Sequence, residues 1–185
     1  MGKYGEVPDA FTWHHHQDTG RMQLVDYELH RKTGHTGGYK IGVNKKEITD
    51  EHIQQVEQYL GIKFPIDFIE CVKKYDGGYP RPKIFDIPNQ DENVFSKLLT
   101  FDLESINSII QVYEYIKGRL VDKVYPFGKD SFGNHLCFDY RNNSQSPTIV
   151  FWEHEEEEIE KAIYPVCSSF TELLNSLRDY EDEDK

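Results

Sequence analysis

The sequence predicts an α+β fold, a mostly antiparallel sheet flanked by helices, preceded by a short ββα-like N-terminal fragment. Three observations predict it. Apolar residues recur with helical spacing in three stretches of the chain and again near its end. Between them lie short runs rich in β-branched and aromatic residues, separated by Gly, Pro, Asn and Asp. Finally, charge divides the chain: residues 1–46 carry seven basic against five acidic residues, and the other 139 carry 14 against 28.

That asymmetry, with five of the eight histidines in the first 46 residues, marks a small head (residues 1–42) and an acidic body (residues 43–185). At 185 residues the chain has room for one full domain and an appendage. Its 12 Tyr and 11 Phe supply a core, so it is not a disordered chain. The mean hydropathy of -0.70 and the lack of any apolar run near eighteen residues exclude a membrane-spanning helix. The first twenty residues hold no apolar signal core, and three scattered cysteines suit reduced thiols, so a cytoplasmic location is expected. An acidic body repels nucleic acid and suits a basic protein partner.

In the head, residues 11–16 and 22–25 are two short strands joined by a turn at Asp18, Thr19 and Gly20. Asp26 then caps a short helix over 27–32, which Gly34 stops. Residues 37–46 form a linker. In the body, Thr49 caps a helix whose inner face is Ile53, Val56 and Leu60 and whose stop is Gly61. Pro65 starts a second helix at its first turn, with Phe68, Ile69 and Val72 inward and Asp76, Gly77 and Gly78 as its end. Residues 84–87 and a segment within 94–101 are strands. A long helix over 102–120 follows, with Leu103, Ile106, Ile109, Ile110, Tyr113 and Ile116 as its apolar stripe. Three strands, 124–127, 136–140 and 148–152, are separated by turns at 128–133 and 141–147. A helix over 170–177 closes the domain before an acidic tail.

Phe127 and Trp152 are core residues on this reading, and His135 is a satisfied or edge histidine rather than a ligand. Cys71 and Cys137 are small buried hydrophobes. Glu155, Glu156, Glu157 and Glu158 follow Glu153 and His154. They form either a solvated face or a partner-binding acidic patch that imitates nucleic acid towards a basic nuclease.

Several ordered pieces resemble the SUKH superfamily of fungal cell-wall-synthesis regulators and bacterial immunity proteins that neutralise polymorphic toxins. They are Ile53, Val56, Glu57, Leu60, Gly61 and Ile62, then Phe64 to Phe68, then Tyr75 to Gly78. The run from Tyr125 to Asn134 and the run from Ile149 to Glu155 complete the match. The resemblance implies a protein-binding domain without catalytic residues of its own, and it requires no cofactor for binding.

The head carries Trp13, His14, His15 and His16, then His30 and His35. This resembles the WHH group of toxin nucleases in the HNH/endonuclease VII class. The resemblance implies His14, His30 and His35 as ligands of a divalent metal (magnesium, manganese or zinc) and His15 as the general base. Neighbouring residues of a strand point to opposite sides, so His14 and His15 take separate roles. Only twelve residues precede Trp13, and the head has few basic residues for phosphate. The head therefore reads as a truncated remnant. The chain reads as an immunity-type protein that binds and neutralises a toxin nuclease of WHH/HNH type. The alternative is a metal-dependent endonuclease restrained in cis by the acidic domain.

Overall fold

Thr49 opens the first body helix, α1 (Asp50–Leu60), from an extended conformation, as its residue type predicts. The computed structural model describes residues 11–15, 22–26, 47–88 and 90–179, and the chain divides into two units, 1–45 and 46–185. In the first unit, β1 (Phe11–His15) pairs antiparallel with β2 (Met22–Asp26), Trp13 opposite Leu24 and His14 opposite Gln23. Asp26 is the last residue of β2. The helix expected over 27–32, its stop at Gly34, the linker 37–46, and both His30 and His35 lie outside the described residues.

In the second unit the N3 residue of α1 is His52, whose Nδ1 accepts the Thr49 backbone N–H at 3.1 Å. A histidine thus fills the capping-box place usually held by Glu or Gln. Gly61 ends α1 at φ 70°, a conformation other residues adopt only with strain, and its N–H returns to Glu57 O at 2.8 Å. The Glu57 carboxylate is buried and accepts the Phe64 N–H at 2.9 Å, which ties the following loop to the helix. Pro65 stands as the N-cap of α2 (Ile66–Tyr75), one position before the expected first turn.

Phe68 of α2 is the hub of the core. Its ring lies 5.0 to 6.1 Å from those of Phe64, Phe101, Phe127, Phe138 and Phe170, in tilted and edge-on geometries. Aromatic quadrupoles favour those arrangements over face-to-face stacking.

Two sheets follow. β3 (Ile84–Ile87) and β4 (Gln90–Val94) make a two-stranded antiparallel pair. β5 (Lys97–Leu98), β6 (Val124–Lys129), β7 (His135–Asp139), β8 (Thr148–Trp152) and β9 (Ile163–Cys167) form an antiparallel meander in that order. The segment expected as one strand within 94–101 is divided between two sheets. The turn expected from Gly128 begins later, because Gly128 lies inside β6, where a Cβ would stand 2.5 Å from the Phe95 ring. β9 was not anticipated. Its Pro165 is tolerated because β9 is an edge strand, where a missing N–H breaks no ladder.

The long helix expected over 102–120 is also corrected. α3 covers only Ile109–Ile116, capped by Ser108, whose side chain accepts the Gln111 N–H at 3.2 Å. Upstream, the Asp76 carboxylate accepts the Phe101 N–H at 2.9 Å and the Thr100 hydroxyl, while Thr100 N–H donates to Asn107 O at 3.1 Å. These bonds hold 100–108 as a closed turn, and Ile106 is 87% exposed rather than part of a stripe. Finally, α4 (Phe170–Ser176) starts from its Ser169 cap.

Each face of the meander carries an apolar cluster. Leu136, Phe138, Ile149 and Phe151 join the large core with Val56, Phe68 and Leu173. Cys137, Val150 and Trp152 join a smaller cluster with Ile116, Leu120 and Ala162. Phe127 and Trp152 are buried as expected, as is Cys137; Cys71 is half-buried. Burial pushes the thiols of Cys137 and Cys71 up, and that of Cys167 up to about 11.

Candidate functional site

In an antiparallel meander, alternate loops emerge at the same end of the sheet. The β6–β7 loop (130–134) and the β8–β9 loop (153–162) therefore share one end. Asp130, buried at the start of the first, organises it: one carboxylate oxygen accepts the N–H groups of Phe132, Gly133 and Asn134 at 2.7 to 2.9 Å. Its other oxygen accepts the Asn134 amide at 2.7 Å. Such an Asx-type turn is built from local side-chain acceptors.

Asn134 then carries the order across to the second loop. Its Oδ1 accepts the His154 N–H at 2.9 Å and lies 2.8 Å from His154 Nδ1. Gly133, at φ 107°, brings the backbone against the His154 ring, which a Cβ would approach to 3.3 Å. From the other side, the Arg119 guanidinium donates to the His154 carbonyl and lies over the Trp152 ring, 5.4 Å from its centroid. The second loop closes on itself: Glu153 N–H donates to Ala162 O at 2.9 Å, and Ala162 N–H to Glu158 O at 3.1 Å.

Six glutamates lie within 153–160 of this tied-down loop. Glu155, Glu157 and Glu158 are exposed, and Glu156 is half-buried, accepting the Glu158 N–H at 2.9 Å. Lys161 pairs with Glu158 at 2.7 Å, and Arg141 approaches Glu160 at 3.9 Å, so the loop stays strongly negative. Glu153, hydrogen-bonded to the Tyr164 hydroxyl, pushes that phenol up. Beside the loop, Phe132 is 72% exposed and borders a shallow concavity of about 290 Å³ with Asn134, Glu153, His154 and Glu155. An exposed aromatic beside fixed charges is chemistry suited to holding a macromolecular surface.

His135, expected to be a satisfied or edge histidine rather than a ligand, opens β7. It is buried, and its Nδ1 has no hydrogen-bond partner among the described residues. Burial, followed in weight by the opposing pull of Asp130 and the push of Lys129, lowers its pKa to about 4.

His14 and His15 sit at adjacent positions of β1, opposite Gln23 and Met22. Among the described residues no three His, Cys, Asp or Glu side chains are grouped as a metal site. The same residues include no helix long and apolar enough to cross a membrane. Sequence reasoning singled out the glutamate run but missed Asp130 and Asn134 as its support. The Asp130, Gly133, Asn134 spacing was the available signal, since it is the pattern of an Asx turn.

A family model described as SMI1-KNR4 cell-wall, SUKH_6, matches residues 50–174, well over half of the chain. The chain belongs to the SUKH_6 family. The matched span runs from the start of α1 into α4 and contains both loops of the site. A second model, described as a nuclease of the HNH/ENDO VII superfamily with conserved WHH, matches residues 4–45. The SUKH_6 chain is also similar to the SPbeta prophage-derived uncharacterized protein YokK of Bacillus subtilis (strain 168). The two are 27% identical over 152 residues, which cover 71% of this chain and 75% of YokK. No solved structure matches the chain.

Proposed function

We propose that this protein is a cytosolic immunity-type binding protein whose SUKH_6 unit blocks a toxin nuclease of WHH/HNH type by direct contact. The observation that carries the reading is the glutamate loop, pinned by Asn134 and Arg119 beside exposed Phe132. A preorganised negative surface speeds encounter with a basic partner and loses little entropy on docking. Glu155, Glu156, Glu157 and Glu158 steer, and Phe132 supplies the apolar anchor. Membership of SUKH_6 and the presence of a WHH-type segment in the same chain support the pairing. Residues 1–42 act as a nuclease remnant and residues 43–185 as the binding domain, which folds and binds alone. No cofactor takes part in that binding, and nucleic acid and membrane are not partners.

The test is association of the full chain, and of a chain starting at Glu47, with an intact WHH nuclease domain. Both bind, and both suppress plasmid cleavage by the nuclease. Binding to no such nuclease sinks the assignment.

The match over residues 4–45 favours one second reading, a metal-dependent endonuclease restrained by the acidic unit. In it His14, His30 and His35 hold magnesium, manganese or zinc, and His15 is the base. Plasmid cleavage by the purified chain with one of those metals, abolished in His15→Ala and kept in His52→Ala, would establish it.

A further inference from the structure

The loop over 153–162 already holds one guanidinium of the chain itself. Arg119 donates to the His154 carbonyl and lies over the Trp152 ring, 5.4 Å from its centroid. A planar, weakly hydrated guanidinium suits that pairing of aromatic face and oxygen acceptor better than a compact, strongly hydrated ammonium does.

A second place on the same loop presents the same two kinds of group. Phe132, 72% exposed, borders the concavity of about 290 Å³ together with Glu153, His154 and Glu155. Its frame is fixed before any partner arrives. Asp130 accepts the Phe132 N–H at 2.7 Å, and Asn134 Oδ1 accepts the His154 N–H at 2.9 Å. Asn134 spends its amide nitrogen on Asp130, so its Oδ1 also takes the His154 Nδ1 proton, and in the neutral ring Nε2 is left as an acceptor. Neither Glu153 nor Glu155 makes an ion pair among the described residues. The concavity thus joins an exposed ring to carboxylates that no cation of the described chain neutralises.

We propose that the concavity bordered by Phe132, Glu153 and Glu155 receives an arginine side chain of a basic protein partner. The guanidinium lies on the Phe132 ring and donates paired N–H groups to a carboxylate, a fork geometry that lysine cannot reproduce. Because the ring and the loop are already held in place, docking orders few groups of this chain. The inference rests on the reading of this loop as a partner-binding surface, and it adds which side chain of the partner the surface selects.

Hexa-arginine and hexa-lysine peptides carry equal charge, so they separate this pocket from general electrostatic attraction. Each is titrated into the full chain at about 0.15 M salt, and the amide signals of 130–134 and 153–160 are followed by NMR. Hexa-arginine binds roughly fivefold more tightly than hexa-lysine. Phe132→Ala removes that preference and leaves hexa-lysine binding unchanged, whereas Phe132→Tyr, which keeps a ring, retains it. The Phe132 side chain is exposed, so both variants fold. Equal affinity for the two peptides, or a preference that survives Phe132→Ala, overturns the arginine site. Either result leaves steering by Glu155 to Glu158, and with it the toxin-binding reading, standing. A chain that binds no WHH nuclease yet keeps the ring-dependent peptide preference sinks that reading and supports this site.

Discussion

The two faces of the five-stranded meander are built from opposite materials. One face is sealed by Phe64, Phe68, Phe101, Phe127, Phe138 and Phe170, with α1, α2 and α4 contributing to the same core. The other has a smaller apolar cluster around Trp152 and, at its β5 edge, the polar row Lys97, Lys129 and His135. A fully packed face specifies the fold through shape and area. A face packed over only part of its width leaves strand ends whose side chains are available for recognition. The difference teaches that in this protein a packed aromatic core and a polar row share one sheet yet use different residues.

The comparison breaks first at its hub. Phe68→Ala removes a ring that touches five others, and it should cost about 3–5 kcal/mol in urea unfolding. A loss below about 1 kcal/mol would show that the large face is not the stabilising one.

On the other face the expected effect depends on pH. His135 has a folded pKa of about 4, below its ordinary value of 6.5, so the unfolded chain binds the extra proton first. Its contribution to stability is complete above pH 6.5 and drains away as pH falls towards 4, at up to about 1.4 kcal/mol per pH unit. His135→Gln should flatten the pH dependence of unfolding across that window. An unchanged slope would place the buried titrating group elsewhere.

Next in size is Trp152→Phe. It keeps an aromatic ring but loses volume from a buried indole and the Nε1–H bond to Arg119 O at 3.2 Å, so at least about 1 kcal/mol should be lost. Because Arg119 also holds His154, this variant should loosen the glutamate loop, read as faster amide exchange at Glu155 to Glu158. No change in exchange there would uncouple the small cluster from the loop.

The smallest stability effect belongs to the loop itself. Replacing Glu155, Glu156, Glu157 and Glu158 together by Gln should change stability by no more than about 0.5 kcal/mol. The same variant should slow association with a basic nuclease and flatten its dependence on salt between about 0.05 and 0.5 M. An unaltered on-rate would remove the loop from the binding surface.

Much of the fold was legible in the chain alone, for local physical reasons. Thr49 and Gly61 mark helix ends because their side chains, or lack of one, suit the backbone at those points. β3 and β8 follow from β-branched and aromatic runs bounded by turn residues. The acidic loop was visible as a run of glutamates, and both family resemblances rested on ordered local pieces. Other features were not legible, because they depend on partners distant in sequence. The apolar spacing over 102–120 suits a helix, but Asp76, about 25 residues upstream, binds Phe101 and Thr100 and keeps 100–108 in a turn. Gly128 has the composition of a turn, yet it pairs with Leu98 and Leu136 inside β6, where a Cβ would stand 2.5 Å from the Phe95 ring. Lys97, Lys129 and His135 span nearly forty positions of sequence, and only strand pairing makes them a row. Caps and periodicity are local free energies and so can be read along the chain. Register and burial are set by contacts the fold creates, so the fold alone decides which charges meet and which polar atom is left without a partner.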